Sequence, residues 1–179
     1  PNDEPEKFVK IKSLIEKNFS ENHFLIIGTN KKSIDGEFEN YFNSLSIYNN
    51  KFELIDSYDK INLVPFGEFL PFENILKAIG LKSLTNNYQS FSRGEKRKII
   101  EIKQQNFSLK FLPLICYEII YSGKLFNKSN YDLIINISED GWFGKSIGPK
   151  QHFDHSILRA IESGKYILRS SNNGIAATV

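Results

Sequence analysis

Between residues 107 and 170 the chain reads as strand, strand, helix, strand. "FSLKFLPLIC" (107–116) and "YDLIINIS" (131–138) are short apolar runs. "QHFDHSILRAIESG" (151–164) is helical and closes on a glycine cap, and "KYILRSS" (165–171) is a third run. Upstream, "YFNSLSIYNNKFELIDSYDK" (41–60) predicts two strands around Asn49-Asn50, a hairpin signal. Strands that alternate with helices, plus one antiparallel hairpin, restrict the chain to an α/β layered domain with a mixed sheet and helices on its outer faces. In such folds reactive groups collect in loops beyond the strand ends.

The remaining segments fit this frame. "EKFVKIKSLIEKNF" (6–19) spaces Phe8, Ile11, Ile15 and Phe19 three and four apart, one face of an amphipathic helix. "HFLIIGTN" (23–30) predicts a buried strand. "LVPFGEFLPFE" (63–73) is a loop by its prolines and glycine, with a short helix expected from Pro71 through "FENILKAIG". Residues 80–106 read as polar and irregular, and "RGEKRK" (93–98) as a solvated loop. "EDGWFGKSIGP" (139–149) is a glycine-rich loop, and "GIAATV" (174–179) a last strand after the turn "NNG". The 179 residues suffice for one domain with a core. A net charge of +2 lacks the clustered basic surplus of a nucleic-acid binder.

The single cysteine, Cys116, excludes an intrachain disulfide and leaves a thiol to explain. A lone cysteine in an apolar strand is most often a small buried hydrophobe. Cys116, however, ends its strand, is followed by polar Tyr117 and Glu118, and enters a turn that offers backbone N–H groups to an oxyanion. A thiolate needs a neighbouring base or cation. His23, His152 and His155 are one set of partners. His152 and His155, three apart on a helix, have a spacing that can bind metal, but no further ligand motif accompanies them. Lys60 enters the Pro/Gly loop that carries Glu68, a rigid setting for side chains that point inward. Trp and Phe in "GWFG" (141–144) suit either an apolar entrance or ordinary loop packing.

Five segments, in order, resemble the apolipoprotein N-acyltransferases of the nitrilase superfamily. They are "YDKINLVPFGEFLPFE" (58–73), "SFSRG" (90–94), "ICYEII" (115–120), "NISEDGWFGKSIGPKQH" (136–152) and "RAIESGKYILRSSNNGIAA" (159–177). The resemblance implies a nitrilase-like α-β-β-α layered sandwich, here incomplete at both ends. It implies Cys116 as nucleophile, Lys60 as catalytic lysine, Glu68 as second essential glutamate, and Tyr117 and Glu118 as supporting residues. The family's general-base glutamate belongs to a Trp-Pro-Glu segment that this chain lacks; Glu4, before Pro5, has the wrong order. It further implies a phospholipid acyl donor, a diacylglyceryl lipoprotein acceptor and no cofactor. The membrane helices would lie in segments beyond this chain, which would be part of a catalytic domain on the periplasmic side of a bacterial inner membrane. A soluble amidase or carbamoylase with the same Cys-Lys-Glu chemistry, and a vestigial non-catalytic domain, are the alternatives.

Overall fold

The computed structural model describes residues 5–36, 38–71, 90–104, 107–123 and 130–179. The short helix expected from Pro71 falls on residues outside these. Helix α1 (Pro5–Asn18) leads into β1 (Leu25–Asp35), β2 (Phe38–Tyr48) and β3 (Leu54–Asp59), an antiparallel three-stranded sheet in that order. Then come β4 (Ile100–Gln104) and β5 (Phe107–Ile115), a 3₁₀ turn (Cys116–Ile120), β6 (Leu133–Glu139) and a second 3₁₀ turn (Asp140–Phe143). Helix α2 (Gly148–Ser163), β7 (Tyr166–Asn172) and β8 (Ala177–Thr178) complete the described chain. The second sheet runs β4-β5-β6-β7-β8, parallel at β5-β6 and β6-β7 and antiparallel at both margins. This is the mixed sheet anticipated above.

Side-chain alternation along β5 builds two cores from one strand. Phe111 and Ile115 face the three-stranded sheet and pack with Leu45, Ile47, Tyr58 and Ile135. Leu112 and Leu114 face the other way, with Ile119, Ile134 and Ile167. The β5 sequence is therefore apolar on both faces, as expected for a central strand covered on both sides.

Several local expectations need correction. β1 does not stop at Asn30 but continues to Asp35, which pairs with Phe38 at the start of β2. Gly36 sits there at φ +61°, a conformation glycine adopts without a Cβ penalty. Residues 80–106 are not irregular throughout, since Ile100 and Ile102 point into the core from β4. The 93–98 stretch is only partly solvated. Gly94 packs so close to β3 that a Cβ there would lie 2.2 Å from the Asp59 carbonyl oxygen. On α1 the expected face is mostly bare: Ile15 is buried, whereas Ile11 remains 49% exposed. α2 starts three residues earlier than expected, and its inward face is polar: His152, Ser156 and Arg159.

Candidate active site

The strand ends where the alternation stops. Cys116 opens the 3₁₀ turn at φ +47°, a left-handed conformation that disfavours a side-chain-bearing residue by about 1–2 kcal/mol. Two contacts hold it there. Glu118 reaches back and accepts a hydrogen bond from the Ile115 N–H (2.9 Å). His152 Nε2 meets the Cys116 carbonyl oxygen at 3.2 Å. A strained nucleophile-type elbow persists only where its surroundings over-determine it, and here both sides of the residue are gripped.

Glu118 was expected beyond the interior by its polarity, but it is fully buried. The charge is tolerated because its oxygens are satisfied. Oε2 takes the Ile115 amide, and Oε1 accepts from Tyr58 Oη (2.8 Å) and from the amides of Ile61 and Asn62 (both 3.1 Å). Arg97 Nη2 adds a charged contact at 3.3 Å, which gives the supposedly solvated basic stretch an inward role. Burial and the Glu118 charge push the Tyr58 phenol far upward, so it stays a donor. One carboxylate thus fastens the strand end beside Cys116 to the chain immediately after Lys60.

Lys60 is 1% exposed. Its Nζ donates to both oxygens of Glu68, at 2.9 and 2.8 Å. Glu68 is itself fixed by the Val64 amide (2.8 Å) and by Asn43 Nδ2 (2.7 Å). The Pro/Gly loop exists to make this return: Pro65 bridges Phe69, and Glu68 N donates to Val64 O, folding the loop back over the lysine. An ammonium has three hydrogens, and two are used on Glu68.

A second buried network, unnoticed in the sequence, lies under the cysteine. Arg169 on β7 donates to Asp140 Oδ2 (2.8 Å) and to Asn136 Oδ1, while Asn136 Nδ2 donates to the Leu114 carbonyl (3.1 Å). His152 Nδ1 lies 2.8 Å from Asp140 Oδ1 and 3.2 Å from Arg169 Nη2. Both imidazole nitrogens are therefore engaged away from the thiol, so neither a Cys–His pair nor a His152–His155 metal pair matches the geometry. Among the described residues no three His, Cys, Asp or Glu side chains cluster as a metal site.

Burial pushes the His152 imidazole below its ordinary range, and the Arg169 charge adds to that against the pull of Asp140. At Asp140 burial acts upward, but the Ser138 hydrogen bond, the close His152 ring and the Arg169 charge outweigh it, and the carboxyl lies below its usual range. With a depressed folded-state value, His152 takes up its proton first in the unfolded chain. Its stabilisation is complete above the unfolded value of 6.5 and is lost as pH falls through the folded one. The full-length protein is expected to lose thermal stability on acidification from pH 6.5 to 5, and His152→Gln is expected to flatten that slope. Melting curves in matched-ionic-strength buffers check both.

These parts share one cavity of about 810 Å³. Cys116, Tyr117, Lys60 and Glu68 stand on its wall, and Trp142 and Phe143 line it from the second 3₁₀ turn. The remaining lining mixes aliphatic residues of β1 and β6 (Ile26, Ile27, Ile137) with polar ones such as Asn30, Asn43 and Glu139. Cys116, Lys60, Glu68 and Tyr117 therefore meet at one opening, with Glu118 behind it, while His23 and His155 do not line it.

The carbon-nitrogen hydrolase family model matches residues 11–178. The chain is 37% identical over 150 residues to an apolipoprotein N-acyltransferase of Brucella suis biovar 1, covering 83% of this chain and 28% of that one. It is 36% identical over 162 residues to the Allorhizobium ampelinum protein of the same name, covering 89% and 30%. The chain thus spans under a third of the length of these curated relatives. Among solved structures, an amidase from Nesterenkonia sp. AN1 shares the fold at TM-score 0.53 and 13% identity, over 90% of this chain and 50% of the amidase. A glutamine-dependent NAD+ synthetase from Acinetobacter baumannii does so at 0.57 and 17%, over 93% of this chain and 27% of the synthetase. With a family match along almost its whole length and the family's layered fold, the chain belongs to the carbon-nitrogen hydrolases and within them is similar to the apolipoprotein N-acyltransferases.

Proposed function

We propose that this chain carries most of an acyl-transfer site that N-acylates lipoproteins through a thioester on Cys116. The observation that carries the reading is the meeting of an elbow cysteine with a buried, carboxylate-locked lysine in one cavity. The chemistry balances as follows. The Cys116 sulfur, its proton given to a carboxylate base, attacks the ester carbonyl of a phospholipid. The oxyanion that forms is held by Lys60 Nζ and the Tyr117 N–H. Collapse breaks the carbon–oxygen ester bond, and the lysophospholipid alkoxide leaves with the base's proton. The α-amino group of a diacylglyceryl-cysteine lipoprotein then attacks the thioester, forms the amide and returns the thiol.

The base is not assigned to a residue of this chain, which contains no Trp-Pro-Glu segment. Glu68, bound at both oxygens by Lys60, acts as the orienting partner of the lysine. Trp142 and Phe143 offer an apolar lip for the incoming chain. No helix among the described residues is long and apolar enough to cross a membrane. In this reading the lipid substrates are met at the periplasmic face of a bacterial inner membrane, through segments outside the described ones.

Donor trapping tests the proposal. The full-length protein, incubated with phospholipid vesicles and no acceptor, is expected to gain one acyl group on the Cys116 peptide, removable by neutral hydroxylamine. Adding a diacylglyceryl-cysteine peptide is expected to discharge it as an amide. Rapid discharge to free fatty acid, with no amide, would instead make the protein a hydrolase of the amidase kind. Acylation of another residue would remove Cys116 as nucleophile.

A further inference from the structure

The elbow contact made by His152 is not explained by thiol activation, because neither ring nitrogen is free for the sulfur. Nε2 is 3.2 Å from the Cys116 carbonyl oxygen, which can only accept; the neutral tautomer with its hydrogen on Nε2 donates there while Nδ1 accepts from Arg169 Nη2 at 3.2 Å. That carbonyl belongs to the same peptide unit as the N–H of Tyr117. In a trans peptide the two point to opposite sides, and this chain has no cis peptide bonds among the described residues. Gripping the oxygen from α2 therefore fixes where the N–H aims. As the second residue of the 3₁₀ turn, Tyr117 has no carbonyl within the turn to donate to, so its N–H is an orphan donor.

The grip is rigid. His152 is 4% exposed, and Asp140 and Arg169, both buried, hold its Nδ1 edge. Phe143 packs against the ring at 5.5 Å. A Cβ on Gly174 would lie 2.1 Å from Asp140 Oδ2, so the network is closed in from β7's far end as well. A donor on the carbonyl also polarises the peptide and strengthens the N–H at its other end.

We propose that His152 is a positioning residue for acyl transfer: its Nε2–H holds the Cys116–Tyr117 peptide so that the Tyr117 N–H meets the oxyanion of the acyl group under attack. This rests on Cys116 being the nucleophile. It adds a third layer to the site, in which Asp140 and Arg169 hold His152, His152 holds the peptide, and the peptide holds the developing charge.

Two reactions at the same sulfur separate the role from simple support. Iodoacetamide alkylates the thiolate by displacing iodide and forms no oxyanion. p-Nitrophenyl butyrate acylates it through one. In the full-length protein, His152→Phe is expected to slow acylation by about tenfold or more while alkylation stays within about twofold. His152→Gln, whose amide nitrogen reaches the place of Nε2, is expected to restore most of the acylation rate. His152→Asn, which reaches only the place of Nδ1, is not. If His152→Phe fails to fold, the Gln and Asn variants carry the same contrast. Equal acylation rates in Gln and Asn, or parallel losses of alkylation and acylation, would overturn the proposal. If mass spectrometry finds the butyryl group elsewhere than on Cys116, the nucleophile assignment fails, whatever the His152 variants do.

Discussion

Lys60→Met is expected to slow thioester formation on Cys116 by about 10²–10³-fold, the range for removing one preorganised oxyanion donor. Methionine matches the lysine stem in length and leaves the cavity's shape nearly unchanged, so the loss isolates the ammonium. A stability loss is expected beside it. Glu68 would keep the Val64 amide and Asn43 but lose both Nζ contacts. Breaking one side of a buried ion pair typically destabilises by about 3–5 kcal/mol. The double variant Lys60→Met/Glu68→Gln discards the stranded charge, and is expected to recover much of the melting temperature without recovering the rate. Acyl-enzyme formation followed by mass spectrometry, beside melting curves, reads both. A single variant that acylates at the wild-type rate would take Lys60 out of the chemistry.

Glu118 gives the second large effect, and of a different kind. Glu118→Ala would leave the amides of Ile61, Asn62 and Ile115 and the Tyr58 hydroxyl without their acceptor, in a place water does not reach. Each buried unsatisfied donor costs about 1–3 kcal/mol, against a total of about 5–15 for a domain. The variant is expected to be largely unfolded at 37 °C. Glu118→Gln is more informative. Its amide must turn one NH₂ toward a donor, and turning it to the lone Ile115 amide spares the crowded Oε1 position. The melting temperature is then expected to fall modestly, while acylation of Cys116 falls further, because the strand end beside the cysteine has been released. Proportionate loss of both would mean that Glu118 supports the fold alone.

Strand and helix periods made four of the five strands of the second sheet legible, because its central strands are apolar on both faces and its helix carries a glycine stop at Gly164, whereas β4 fell in the stretch read as irregular. The β1–β2 hairpin was not. Lys31, Lys32 and Ser33 are polar and Ile34 stands alone, so no alternation extends the strand past Asn30, and the one available signal was Asp35-Gly36. Lys60, Glu68 and Cys116 were legible through motif resemblance, and their meeting in one cavity required the fold. Glu118's burial was hidden, since polarity ordinarily marks a surface and only its several donors reverse that. Asn136, Asp140, His152 and Arg169 lie on four elements, 33 positions apart from first to last by number. No spacing rule joins them.

Cys116 and Lys60 close different sheets: one follows β5, the other β3. The distance across the sandwich, set by Leu45, Ile47, Phe111 and Ile135 filling the space between, is therefore also the distance across which sulfur and ammonium must cooperate. Close-packed interiors transmit strain rather than absorb it. The aliphatic filling acts as a calliper on the reaction, and substitutions chosen only for core volume, remote from the opening, become a means of tuning rate.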